Sequence, residues 1–211
     1  MREVLDHYRP QIDASDVLDR LLVEPRGYFL VSAHREENVD SPDRLRQLLR
    51  CLEAVHARWN LPIHVSTHPR TKKRLAALPD LAPPQGLIFQ EPLGFHDYNR
   101  LQLSAACVLS DSGTIAEEAS ILGFPAVTLR DSIERPEALD SGGIMMTGLD
   151  VDDALAAVTI SMDRERADAS LDDIPFEYLI RNTSDRAVRF ILSTARRHRT
   201  WSGLRPRSSS R

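Results

Sequence analysis

Six short apolar runs that lack strict polar–apolar alternation constrain this chain most. They lie at Tyr28–Ser32, Ile63–Ser66, Leu87–Phe89, Cys107–Ser110, Ala126–Leu129 and Ile144–Met146. A strand with one wet face alternates polar and apolar residues, whereas an uninterrupted apolar run needs cover on both faces. Helical patterns separate the runs, at about Pro42–Trp59, Arg70–Leu78, Asp97–Ala106, Thr114–Leu122 and Val151–Met162. Their punctuation fits. Asp40 or Ser41 caps the first, with Pro42 in its opening turn, and Gly123-Phe124-Pro125 stops the fourth. Asp150 is placed to cap the last. Repeated strand–helix units of this kind predict an α/β fold built on a doubly wound parallel sheet.

The runs end in polar clusters: His34-Arg35-Glu36-Glu37, His68-Pro69-Arg70, Gln90-Glu91-Pro92, Asp111-Ser112-Gly113 and Arg130-Asp131. In an open parallel sheet ligands bind beyond the carboxyl ends of the strands, so these clusters are expected on one shared edge. Residues 1–26 read as a connector helix, 27–183 as the α/β domain, 184–201 as a C-terminal helix and 202–211 as a disordered tail. Net charge is −4, which gives no electrostatic case for nucleic acid. No apolar run approaches the roughly 20 residues of a membrane span, and the start MREVLDHYRP has no signal-peptide core. Cys51 and Cys107 fit neither a CxxC nor a zinc spacing and are expected as buried free thiols. A cytoplasmic protein follows, with no membrane or nucleic-acid partner.

The segment from Asp111 to Ala138 carries the most chemistry. It reads as a strand end, a Ser-Gly-Thr turn, a helix opening with Glu117 and Glu118, a further strand, and a loop bearing Arg130, Asp131, Glu134 and Arg135. Helix-start N–H groups bind phosphate, carboxylates accept from sugar hydroxyls, and arginine forks onto phosphate oxygens. Each piece also has a plain structural reading. Ser112 or Thr114 is a helix cap, the glutamates complement the helix N-terminus, and the charged loop is an ion-pair network. Adjacent helical residues diverge by about 100°, so only one of Glu117 and Glu118 faces a ligand. Arg135, beside Pro136 at a helical turn, is the better phosphate candidate. His34 has an arginine and two carboxylates for company; His68 reads as a packed turn histidine. Tyr98 stacks on a base or packs in the core. No HExxH-like spacing, GxGxxG, GxxxxGK[ST] or GxSxG occurs, so no metal, dinucleotide, P-loop or nucleophile-elbow site is predicted.

Together, SAHREEN at 32–38, STHPR at 66–70, DSGTIAEEASILGFPAV at 111–127 and RDSIERPEAL at 130–139 resemble the C-terminal half of the non-hydrolysing UDP-N-acetylglucosamine 2-epimerase family. The resemblance runs from Tyr28 to Gly148, and more loosely to Trp201. It implies a Rossmann-like half of a glycosyltransferase-B-type fold, with a nucleotide sugar between two halves. Carried over, Ser112, Gly113 and Thr114 would contact the diphosphate, Glu118 the ribose and Tyr98 the uracil. Arg135 would support the phosphates, and a protonated His34 would lie near the diphosphate and the reacting sugar. Thr114 departs from the family, which often has a second glycine there.

The implied reaction inverts carbon 2 of a UDP-linked N-acetylhexosamine by eliminating UDP and adding it back, with no cofactor. The family's proton-transfer carboxylates lie in the N-terminal half. The match begins near the interdomain connector, so the expectation is a fragment, or one half of a split enzyme with a separate partner chain. Such a half would bind UDP weakly and would not turn over alone. A homodimer remains open. HREENVD looks like family members acting on rarer UDP-amino sugars of surface polysaccharides, such as L-fucosamine precursors. Two alternatives stand beside the epimerase: the nucleotide-binding half of a UDP-sugar glycosyltransferase, and a non-catalytic UDP-sugar-binding module.

Overall fold

The computed structural model describes residues 1–78, 84–163 and 174–203, and the statements below concern those residues. In chain order the elements are α1 (Arg2–Asp13), α2 (Val17–Leu21), β1 (Phe29–Ser32), α3 (Glu36–Val39), α4 (Pro42–Trp59), β2 (Ile63–Ser66), α5 (Pro69–Ala76), β3 (Leu87–Gln90), α6 (Phe95–Ser104) and β4 (Cys107–Ser110). There follow α7 (Ile115–Leu122), β5 (Ala126–Thr128), α8 (Pro136–Asp140), β6 (Met145–Met146), α9 (Val151–Asp163), α10 (Phe176–Leu179), α11 (Thr183–Thr194), a 3₁₀ turn at Ala195–Arg197 and α12 (His198–Trp201).

The six strands form one parallel sheet in the order β3-β2-β1-β4-β5-β6. The expected doubly wound sheet is therefore present. Its register aligns the carboxyl ends: Ser32 pairs with Ser66 on one side and Ser110 on the other, Ser66 with Gln90, and Ser110 with Thr128. That row is why the polar clusters share an edge.

Successive strand residues point to opposite faces. Phe29 and Val31 enter one core cluster, with Leu45, Leu48 and Leu52 of α4 and Ala157 and Val158 of α9. Tyr28 and Leu30 enter the other, with Leu101 of α6 and Ile115, Ala116 and Ala119 of α7. Phe29, Leu30 and Val31 are all fully buried, which explains a run without polar alternation. Each such side chain contributes roughly 1.5–3 kcal/mol by leaving water.

Local signals set most boundaries. The Ser41 hydroxyl accepts the Arg44 N–H at 3.5 Å, with Pro42 opening α4. Gly123 ends α7 in the left-handed region at φ 74°, a conformation that disfavours a Cβ. Asp150 accepts the Asp153 N–H at 3.0 Å ahead of α9. Several boundaries differ from expectation: α5 ends at Ala76, and α6 starts at Phe95 and not Asp97. Residues 1–26 hold two helices, and they pack: Leu5, Ile12 and Val17 are buried, and Ser15 donates to Asp97 of α6 at 2.6 Å.

Met1–Leu179 form one compact unit, and the described residues from Ile180 form a second. In that second unit no residue of α11 is buried, and Val188, Phe190, Ile191 and Leu192 are exposed. The expected disordered tail falls almost wholly on 204–211, outside the described residues, as do 164–173 of the irregular acidic stretch. Cys51 and Cys107 form no disulfide and are buried, and burial pushes the Cys51 thiol up to about 11. Among the described residues no helix is long and apolar enough to cross a membrane. No group of three or more His, Cys, Asp or Glu among them is arranged to hold a metal ion.

Candidate functional site

The strand order reverses between β1 and β4, and at such a point the loops above two neighbouring strands diverge and leave a crevice. Asp111, the residue after β4, is fully buried there. Its carboxylate accepts the backbone N–H of His34 at 3.1 Å and of Arg35 at 2.9 Å, and the Asn38 amide at 3.1 Å. Asn38, also fully buried, donates in addition to the Leu129 carbonyl at 2.9 Å and accepts from Arg44 at 3.0 Å. One carboxylate and one amide thus fasten the loop after β1 to the ends of β4 and β5. The His34 ring is left 44% exposed above them, its Nδ1 3.6 Å from Asp111 Oδ1. The His68 ring, above neighbouring β2, stands 6.3 Å away.

Gly113 sits between two guanidinium groups. A Cβ at that position would lie 3.0 Å from Arg35 Nη2 and 3.2 Å from Arg135 Nη1. Arg135 donates to the Gly113 carbonyl at 2.6 Å and pairs through Nε with Glu117 at 2.7 Å. Arg35 pairs with Glu134 at 3.3 Å. Among the described residues, the N–H groups of Gly113, Ala116 and Glu117 have no acceptor. Two cations and the open N-terminus of α7 therefore converge on one small surface, an arrangement suited to an anion.

The charged loop after β5 holds one buried cation among exposed carboxylates. Arg130 is buried and grips Glu134 with two hydrogen bonds, 2.7 and 3.0 Å, while Nε reaches Glu37 at 3.2 Å. The Arg130 hydrogen bond holds the Glu134 carboxyl at about 2, below its usual 4.5. A depressed carboxyl stabilises the fold above its unfolded pKa, and that contribution is lost as pH falls from about 4.5 through about 2. Carbon-13 NMR titration should place the Glu134 midpoint near 2, moving back toward 4.5 in Arg130→Met. A midpoint unmoved by Arg130→Met would show that the pair does not set it.

Glu118 is held on both oxygens. The Thr114 hydroxyl donates to Oε1 and the Gln102 amide to Oε2, each at 2.7 Å. This corrects the expected cap: Thr114 occupies the N-cap position of α7, but its hydroxyl makes no cap bond, and Ser112 Oγ lies 3.1 Å from it. Tyr98 of α6 is half-buried and packs against the second core cluster. Burial and the nearby Glu118 and Asp111 carboxylates push its hydroxyl up, opposed by a Ser32 hydrogen bond. The ring thus packs with the core, and the hydroxyl lies buried near Ser32, Glu118 and Asp111.

The residues singled out in the sequence fall around this one crevice: His34, Ser112, Gly113, Thr114, Glu118 and Arg135 at its centre and Tyr98 at its border. Sequence reasoning set Asp111 and Arg35 in clusters at the ligand edge without a role of their own, and gave none to Asn38 or Gln102. The signals were partial. Asp111 directly follows an apolar run and Arg35 adjoins His34, but Asn38 and Gln102 acquire meaning only through burial.

A family model described as UDP-N-acetylglucosamine 2-epimerase matches residues 1–192. A UDP-N-acetylglucosamine 2-epimerase from Methanocaldococcus jannaschii is 36% identical over 142 residues, 66% of this chain and 39% of that protein. The structure of UDP-N-acetylglucosamine 2-epimerase from Rickettsia bellii superposes with a TM-score of 0.79 at 36% identity, covering 93% of this chain and 52% of that one. The Methanocaldococcus jannaschii UDP-GlcNAc 2-epimerase crystallised with UDP-GlcNAc and UDP gives 0.77 at 30% identity, covering 90% and 51%. The chain thus spans about half the length of these solved relatives.

Proposed function

The chain belongs to the UDP-N-acetylglucosamine 2-epimerase family, and from that premise we propose that it supplies the UDP-binding half of an epimerase acting on a UDP-linked N-acetylhexosamine. The observation that carries this reading is the convergence of Arg35, Arg135 and the unpaired N–H groups of α7 on Gly113, above the point where the strand order reverses. The diphosphate would lie across Gly113, with Ser112 alongside, while the Thr114 O–H stays on Glu118. Glu118 would receive the ribose hydroxyls and Tyr98 would border the uracil. The domain responsible is residues 27–183.

The reaction removes the proton at carbon 2 and breaks the bond between carbon 1 and the diphosphate oxygen, giving a glycal and UDP. Re-addition of UDP at carbon 1, with a proton delivered to the opposite face of carbon 2, gives the epimer. The step that this half serves is the departure of UDP, whose oxygen gains negative charge as the bond breaks. Fixed N–H groups and guanidiniums aimed at that oxygen favour the transition state over the bound substrate. His34, exposed beside Asp111, would hold a proton on the leaving oxygen. Proton transfer at carbon 2 falls to the other half of the family fold, on the same chain or a separate one. Two buried thiols outside any disulfide fit a reducing, cytoplasmic compartment.

The test is proton NMR of UDP-N-acetylglucosamine in D2O with this chain joined to, or mixed with, an N-terminal half from the family. Exchange of deuterium into carbon 2 with formation of the epimer is expected, together with its loss in His34→Ala. Turnover that depends on an added acceptor sugar would instead indicate a glycosyltransferase. Tight UDP binding with no exchange at carbon 2 would indicate a binding module.

A further inference from the structure

Gln102 is fully buried on α6, yet its amide Oε1 has no hydrogen-bond partner among the described residues. Turning the amide over would not relieve this. It would bring Oε1 against the Glu118 carboxylate at the 2.7 Å now spanned by Nε2, acceptor against acceptor. A methionine of similar length would fill the space without burying an unpaired oxygen. The contact with Glu118 is therefore the one return on an unfavourable residue, and such residues gather where a site needs them.

Thr114 makes the matching contact from the other side, donating to Glu118 Oε1 at 2.7 Å where a glycine could donate nothing. Each carboxylate oxygen has two lone pairs, and each here spends one inside the protein. The two that remain are fixed in direction. The clamp also keeps the neighbouring charges apart: Arg135 is held by Glu117, and Glu118 is held by neutral donors. The cation stays available to an anion and Glu118 to hydroxyls.

We propose that Gln102 and Thr114 are positioning residues that aim Glu118 at the ribose hydroxyls of the bound nucleotide. The proposal rests on the reading that this crevice takes UDP. It predicts that selectivity for ribose, and not general affinity, depends on Gln102 and on Thr114, whose one O–H is already given to Glu118.

The experiment compares binding of UDP and 2′,3′-dideoxy-UDP by calorimetry. The full chain is measured as wild type, Gln102→Met, Thr114→Val and Thr114→Ser, with melting temperatures alongside. Wild type is expected to favour UDP by about tenfold, the worth of charge-assisted hydrogen bonds to one carboxylate. Gln102→Met and Thr114→Val should reduce that ratio to about threefold or less by weakening UDP alone, as expected when one anchoring bond is lost. Thr114→Ser should retain it. Full ribose preference in both Gln102→Met and Thr114→Val would overturn the proposal, as would equal weakening of both nucleotides with a lowered melting temperature. Should Gln102→Met not fold, the Thr114→Val and Thr114→Ser pair decides alone. Wild type that binds UDP without ribose preference overturns this proposal and leaves the UDP reading standing. Wild type that binds neither nucleotide overturns both.

Discussion

Replacing Arg135 with alanine is expected to weaken UDP binding by about 100-fold, the equivalent of losing roughly 3 kcal/mol of charge-assisted contact. Arg135 already spends Nη1 on the Gly113 carbonyl and Nε on Glu117. A guanidinium has five N–H donors, so the fork keeps others for phosphate oxygens while two protein acceptors hold it still. That pre-organisation is why the loss should be large: little side-chain freedom remains to be lost on binding. Alanine also removes the nearer of Glu117's two cationic partners, leaving only the Met1 amino group at 3.5 Å to offset a negative charge beside the incoming diphosphate. Arg135→Lys should recover only part, since an ammonium cannot hold Gly113, Glu117 and a phosphate in one plane. Isothermal calorimetry at fixed ionic strength checks this. An affinity within about twofold of wild type, less than one surface ion pair is worth, would place the phosphates elsewhere.

The largest effect on stability is expected at Asp111. Asp111→Ala strands three N–H donor groups, those of His34, Arg35 and Asn38, around a buried void. Each buried donor left unpaired costs about 1–3 kcal/mol, so a loss of about 3 kcal/mol or more is expected. For a chain of this size that corresponds to a fall in melting temperature of roughly 6–12 °C. Asp111→Asn should be milder, because all three donors reach Oδ2, where an asparagine oxygen can stand, and only the Oδ1 side, shared by the His34 N–H, would meet a donor. The damage should spread by a specific route. With the clamp gone, the loop carrying His34 and Arg35 loses its attachment to β4, so hydrogen exchange should rise at 34–38 before it rises in β1. Denaturation at the wild-type midpoint, with unchanged protection at 34–38, would mean that the loop is held by other contacts.

The legible parts of this fold were those encoded locally. Ser41-Pro42 starts α4 and Gly123 ends α7 because a cap and a left-handed residue act on their own few neighbours. The parallel sheet was legible because Phe29, Leu30 and Val31 must all be covered, and only two helical layers cover both faces. Other features depend on partners distant in sequence. α3 is a single turn, Glu36–Val39, too short to show a period, and it is anchored by Asp111. Thr114 reads as a cap until Glu118 takes its hydroxyl. Arg130 looks like a surface charge, yet it is buried, with Glu37 of α3 reaching it from far away in sequence and Glu134 from its own loop.

Of the two carboxylates on α7, the structure assigns partners that the sequence left open: Glu117 pairs with Arg135, and Glu118 with Thr114 and Gln102. The choice follows from the 100° step between them, which turns one toward the arginine loop and the other toward α6. Gln102 carries no signal in the sequence, because a glutamine in a helix is ordinarily a solvated residue. Its meaning lies in being buried beside a carboxylate.

A nucleotide diphosphate resting on Gly113, at the reversal of strand order, would report itself in amide NMR. Titrating UDP into the nitrogen-15-labelled chain should shift the N–H resonances of Gly113, Ala116 and Glu117 first and furthest, with the Arg135 Nε–H alongside. Inorganic phosphate should reproduce a weaker form of the same pattern, and uridine should leave it unchanged. Shifts confined to another edge of the sheet, or no shift at Gly113 with UDP at millimolar concentration, would mean that the diphosphate does not bind there.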